Sequence, residues 1–138
     1  MNSNKKILVL DDEGYMRNML NEVLEDAGYT MISCSNPSIT AIRAYRADAI
    51  ILDLKMSSEN EKQGFDVLIH LWEDRECSIP VIIFSAFTNY NETKNDIREI
   101  EELYGHGRKV VASIHKKNGV EPLLQRLDDL FNIERLPA

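Results

Sequence analysis

Residues 5–20 read KKILVLDDEGYMRNML. Four apolar residues, Ile7, Leu8, Val9 and Leu10, stop abruptly at two adjacent acids, Asp11 and Asp12. An uninterrupted apolar run of this length suits a strand buried on both faces, the signature of a parallel sheet. The residues that follow change period. Met16, Met19, Leu20, Val23, Leu24 and Ala27 fall on one stripe at helical spacing, and Gly28 stands where such a helix would stop. The stretch is therefore a strand, an acidic turn and a helix.

The same order recurs along the chain. YTMISCS (29–35) reads as a second strand, and NPSITAIRAYR (36–46) as a short helix with Pro37 near its first turn. AIILDL (49–54) is a third apolar strand, again ending near an acid, Asp53. The polar stretch KMSSENEKQG (55–64) separates it from a helix carrying Phe65, Leu68, Ile69 and Trp72. PVIIFSA (80–86) is a fourth strand, followed by a helix with Ile97, Ile100, Leu103 and Tyr104 at helical spacing. KVVASI (109–114) is the fifth strand, and Leu123, Leu124, Leu127, Leu130 and Phe131 mark the last helix. Five strand–helix units predict an α/β fold: a doubly wound, five-stranded parallel sheet with helices on both faces.

Composition narrows the function classes. The 138 residues suit one domain, with 43% hydrophobic and 28% charged residues. The formal net charge of −7 argues against direct nucleic-acid binding, which demands a basic face. No apolar run reaches the length of a membrane span, and the N-terminal MNSNKK is not followed by the apolar core of a signal peptide. The two cysteines, Cys34 and Cys77, form no disulfide framework and read as free thiols in a reducing cytoplasm.

Open parallel sheets bind ligands outside the carboxyl ends of their strands. That rule gathers Asp11, Asp12 and Asp53 at one edge, with Ser85 closing the fourth strand and Lys116 just past the fifth. Clustered carboxylates raise one another's pKa unless a cation compensates, and hard oxygen donors favour Mg2+. A strand-end aspartate beside a cation and a lysine is equipped to accept a phosphoryl group as an aspartyl phosphate. Each position alone has a plainer reading: Asp11 or Asp12 as a helix cap, Ser85 as a strand-end serine, Lys116 as a surface lysine. The three histidines, His70, His106 and His115, lack ligand spacing.

The ordered set LVLDDE, AIILDLKM, VIIFSA and SIHKK resembles the receiver domain of two-component response regulators, the CheY-like superfamily, over nearly the whole chain. The resemblance implies a flavodoxin-like (βα)5 sheet of strand order 2-1-3-4-5 and a single domain over 1–138, its core at about residues 5–133. It implies Asp53 as phosphoacceptor, with Lys116 and the Ser85 hydroxyl completing the catalytic set. It implies a Mg2+ site of Asp11, Asp12, Asp53 and the backbone carbonyl of Lys55, with Asp12 ligating more directly than Asp11. The implied donor is a phosphohistidine on a sensor histidine kinase or a phosphotransfer protein. The implied output is a cytoplasmic protein–protein contact, compatible with a homodimer, or relay of the phosphoryl group to another protein, and no effector domain is expected after Ala138.

The chain departs from the family's pattern in several places. Met56 is followed by Ser57 rather than proline, and Gly64 comes a few residues late. The segment between Ser85 and Lys116 is long. Ser113 replaces the aromatic residue usual three positions before the lysine, and Lys117 replaces the proline usual after it. These departures lend some support to a competing class, a phosphorylation-independent pseudo-receiver. A phosphatase reading lacks the second acid two residues beyond the nucleophile, where Lys55 stands. A flavin-binding reading lacks a hydroxyl- and glycine-rich loop after the first strand.

Overall fold

A computed structural model describes residues 4–33, 38–54, 63–86 and 91–135. Five parallel strands form one sheet: β1 (Lys6–Leu10), β2 (Thr30–Ser33), β3 (Ala49–Leu52), β4 (Val81–Ser85) and β5 (Ala112–His115). Their order is β2-β1-β3-β4-β5, as the resemblance implies. The helices are α1 (Gly14–Asp26), α2 (Ile39–Tyr45), α3 (Gln63–Glu73), α4 (Asn91–Tyr104) and α5 (Glu121–Leu130).

The apolar runs give strands covered on both faces. Alternate residues of β1 separate cleanly: Ile7 and Val9 pack with Met16, Leu20, Leu24, Leu123 and Leu127 of α1 and α5. Leu8 and Leu10 pack on the opposite face with Ile42, Leu68, Leu71 and Trp72 of α2 and α3. Register puts Leu10 beside Leu52, so β1 and β3 end level and their terminal acids emerge at the same edge.

Three local devices shape the elements. Gly28, at φ 90°, supplies the left-handed residue that ends the first strand–helix unit. The Ser38 side chain accepts a hydrogen bond from the Ala41 amide and caps α2. Arg108 donates to carbonyls of Gly105, Cys77 and Asp74 at 2.7, 2.6 and 2.9 Å, and also to those of Trp72 and Tyr104. One guanidinium therefore serves the carboxyl ends of both α3 and α4, where carbonyls lack partners within their own helices.

The sequence boundaries shift at β5. The apolar pattern begins at Lys109, yet the strand starts at Ala112. The preceding residues are engaged otherwise: the Val110 amide donates to the Glu101 carboxylate at 3.0 Å. Leu103, placed on the buried stripe of α4 by spacing, is 62% exposed. Among the described residues, no helix is long and apolar enough to cross a membrane.

Candidate functional site

The chain turns sharply after β1. The Asp11 carboxylate accepts the Glu13 amide at 3.0 Å, and the Asp11 carbonyl accepts from the Arg17 guanidinium at 2.8 Å. These bonds hold Asp11 inward, 7% exposed, at the start of α1. Asp53 follows β3 directly, 4% exposed, its amide bonded to the Leu10 carbonyl at 3.0 Å. The segment behind it leaves no room for a side chain at Gly64. A Cβ there would lie 2.3 Å from the Asp53 carbonyl oxygen and 2.4 Å from the Leu54 Cα. Glycine thus lets the first turn of α3 seat against the backbone that carries Asp53.

Lys116 reaches across from the end of β5. Its Nζ lies 2.8 Å from Asp11 Oδ2, 3.0 Å from Asp53 Oδ2 and 3.0 Å from Glu13 Oε1. An ammonium has three donors, so each carboxylate takes one. Ser85 is fully buried at the end of β4 and hydrogen-bonds the Asp53 carboxylate. The sheet edge thereby brings together Asp11, Asp53, Ser85 and Lys116, four residues singled out from the sequence.

Among the described residues, carboxylates outnumber cations in this cluster. Burial is the largest influence on Asp53 and pushes its pKa up. Lys116 and Ser85 pull it down, Asp11 pushes it up again, and the net shift is upward. Burial would lower the Lys116 pKa, but its hydrogen bonds and charge interactions with Asp11 and Asp53 outweigh that and raise it. Lys116 therefore stays protonated. Among the described residues, the Lys116 ammonium pairs with all three carboxylates, Asp11, Glu13 and Asp53.

Carboxylate oxygens of Asp11, Glu13 and Asp53 lie within 4.8 Å of one another. A hard divalent cation such as Mg2+ fits this all-oxygen donor set and its uncompensated charge. Glu13 is the residue that the sequence reading missed; the third acid of the LVLDDE run was the available signal. Asp12, the residue expected to ligate more directly, is exposed and is not one of the three gathered carboxylates. Lys55, whose carbonyl was expected to complete the metal site, lies outside the described residues, as do Met56 and Ser57. Ser113 is exposed on β5, so no side chain there fills the ring position usual in the family.

A model of the response regulator receiver domain matches residues 7–103. The chain belongs to this family. Receiver domains are signalling switches, and the match covers β1 through nearly all of α4 but stops before β5 and Lys116. The DNA-binding response regulator MtrA of Mycobacterium tuberculosis is 32% identical over 87 residues, 62% of this chain and 36% of the relative. A protein-glutamate methylesterase/protein-glutamine glutaminase of Natronomonas pharaonis is 29% identical over 82 residues, 57% of this chain and 22% of the relative. The chain thus spans only about a third or less of these relatives.

Solved structures agree on the fold. A LuxR-family DNA-binding response regulator of Staphylococcus aureus superposes with a TM-score of 0.72 at 18% identity, covering 93% of this chain and 99% of the other. Response regulator TrrA of Thermotoga maritima, solved in complex with Mg2+-BeF, gives 0.67 at 22% identity, covering 91% and 98%.

Proposed function

We propose that this receiver takes a phosphoryl group onto Asp53 from a phosphohistidine on a sensor histidine kinase or phosphotransfer protein. The observation that carries the reading is the seat of Asp53: a buried carboxylate with the Lys116 Nζ at 3.0 Å and the Ser85 hydroxyl bonded to it. In the transfer, an Asp53 carboxylate oxygen attacks phosphorus and the phosphorus–nitrogen bond to the donor imidazole breaks. The electron pair leaves with that nitrogen.

Each residue then has a task. Lys116, held protonated, offers a fixed positive charge to the phosphoryl oxygens. The Ser85 hydroxyl turns from the carboxylate to donate to one of them. Mg2+ would be held by Asp11, Asp12, Asp53 and the Lys55 carbonyl, and it supplies neutralisation of charge on the transferring group. Asp12 is exposed beside the gathered carboxylates, where a cation can reach it. Glu13 already faces Lys116 and serves it as counter-ion.

The phosphorylated chain would act in the cytoplasm through altered contacts with a protein target, with homodimer formation as one form of output. The domain would occupy residues 1–138. Acetyl phosphate with Mg2+ should add one phosphoryl mass to the intact chain, and Asp53→Asn should abolish the addition. Undiminished labelling of Asp53→Asn would remove the assignment. No labelling of the natural sequence by acetyl phosphate or by a phosphohistidine donor would favour the pseudo-receiver, for which Ser113 and Lys117 speak.

A further inference from the structure

Away from the acidic edge, α3 and α4 leave an open groove of about 270 Å3 between them. Phe65 and Ile69 of α3 and Leu103 of α4 give it apolar surface, while Asp66, Asp96 and Glu99 bring carboxylates to the same walls. Among the described residues, no basic side chain lines it. Leu103 is one of only two large apolar residues strongly exposed among the described residues. Its exposure is not explained by the core, because the buried side of α4 is already supplied by Ile97 and Ile100.

The spacing suits a helix as occupant. Asp96, Glu99 and Leu103 recur at three- and four-residue steps along one stripe of α4, and Phe65 and Ile69 do the same on α3. From Asp96 to Leu103 the stripe runs roughly 10 Å, about two helical turns. The volume falls below the ~300–1,000 Å3 of small-molecule sites, so it suits a few anchoring side chains better than a buried ligand. The carboxylates repel nucleic-acid phosphates and anionic lipid headgroups. They attract lysine and arginine.

We infer that the α3–α4 groove docks a cationic amphipathic helix of a partner protein, its apolar residues against Phe65, Ile69 and Leu103 and its basic residues against Asp66, Asp96 and Glu99. This is helix-in-groove recognition with charge supplying the choice of partner. The groove's carboxylates are distinct from the Asp11, Glu13 and Asp53 cluster.

A synthetic amphipathic helix of leucine and lysine serves as probe, and its glutamate-for-lysine counterpart as control. Amide chemical-shift mapping on the full chain should place the lysine peptide at residues 64–70 and 95–104. Its affinity should fall about tenfold or more in Asp96→Lys/Glu99→Lys and in Leu103→Ser. Both variants alter exposed or half-exposed positions, and an unchanged thermal melt verifies the fold. The inference is overturned if the lysine peptide produces no shifts, shifts the Asp11–Asp53 edge instead, or loses no affinity in either variant. Equal binding of the glutamate peptide, or self-association of the free chain through this groove, also overturns it.

Discussion

Two buried aspartates at opposite ends of the sheet are pushed in opposite directions by the same fold. Asp53, at the carboxyl edge, has its pKa raised, chiefly by burial. Asp128, near the end of α5 at the amino edge, also suffers from burial, yet hydrogen bonds from Arg135 and Tyr29 and the Arg135 charge lower its pKa overall. The Tyr29 hydroxyl donates to it at 2.6 Å, and Arg135 grips both carboxylate oxygens at 2.6 and 2.9 Å. At the amino edge one carboxylate has a guanidinium to itself. At the carboxyl edge three carboxylates divide one lysine. The first arrangement is a lock that ties the segment after α5 back to that helix, and the second is a site in which, among the described residues, carboxylates outnumber cations.

That contrast assigns stability to the amino edge, and the largest effect should come from Arg108. Arg108→Ala removes the donor shared by five carbonyls at the ends of α3 and α4. Each hydrogen bond to a charged group contributes about 1.5–3 kcal/mol, but water can reach part of this array, so a total loss of about 3 kcal/mol is expected. Arg108→Lys should recover little, because an ammonium cannot span the carbonyls of two helices as a planar fork does. Urea unfolding of both variants checks this. A loss below 1 kcal/mol in Arg108→Ala would mean that the helix ends are held by other means.

Asp128→Ala comes next. It strands the buried Tyr29 hydroxyl and releases Arg135, whose partial exposure discounts the ion pair itself, so about 2 kcal/mol is expected. The pH dependence has a defined sign. A carboxylate whose folded pKa is lowered contributes stability above its unfolded value, near 3.8, and that contribution is lost as pH falls through the folded value. Thermal melts of the natural sequence should therefore lose stability on acidification below about pH 3.8. Asp128→Asn, which cannot titrate, should show a flatter acid limb.

How much of this could be read from the sequence follows the range of the interactions. Strand and helix identity were legible because apolar periodicity is local: Ile7 and Val9 go to one face, Leu8 and Leu10 to the other. The meeting of Asp53, Ser85 and Lys116 at one edge was legible because a parallel sheet sends every strand end there. The amino edge was not. Tyr29 and Asp128 stand 99 residues apart, and the first Asp of a helix segment LDDL looks like ordinary solvated surface. Arg108 sits in GHGRKV, which reads as a loop; its role exists only because α3 and α4 end beside each other. Leu103 failed differently. Its spacing is that of a core residue, but the groove between α3 and α4 leaves it uncovered.

The carboxyl edge should respond in the reverse sense. For Asp53, whose folded pKa is raised, the stabilising neutral form is fully present below 3.8 and is lost as pH rises through the folded value. Above the folded value, holding the charge in this buried seat therefore costs stability. Asp53→Asn should stabilise the fold by roughly 0.5–2 kcal/mol and, on the proposed function, abolish phosphorylation, the exchange typical of functional sites. A raised Tm at neutral pH checks the sign. Destabilisation comparable to that of Asp128→Ala would erase the distinction between the two ends of the sheet.

The smallest effect should come from Glu13, and it separates two arrangements of the cation. Glu13 pairs with Lys116 at 3.0 Å, but its side chain is 48% exposed, so Glu13→Gln should change stability by only a few tenths of a kcal/mol. Asp12→Asn removes the same charge from the neighbouring residue, so the long-range electrostatic loss toward a bound cation is similar in both. The difference between the variants then reports direct contact. With Asp12 as ligand and Glu13 as counter-ion of Lys116, Asp12→Asn should weaken Mg2+ binding by about tenfold or more, a loss of roughly 1.4 kcal/mol. Glu13→Gln should weaken it by no more than about threefold. Mg2+ titrations followed by amide shifts of the two variants, run at one ionic strength, provide the comparison. The opposite ranking would place the cation among Asp11, Glu13 and Asp53, the three carboxylates that the fold already gathers. Lys116 would then give up Glu13 when the cation binds and keep its donors for the phosphoryl group.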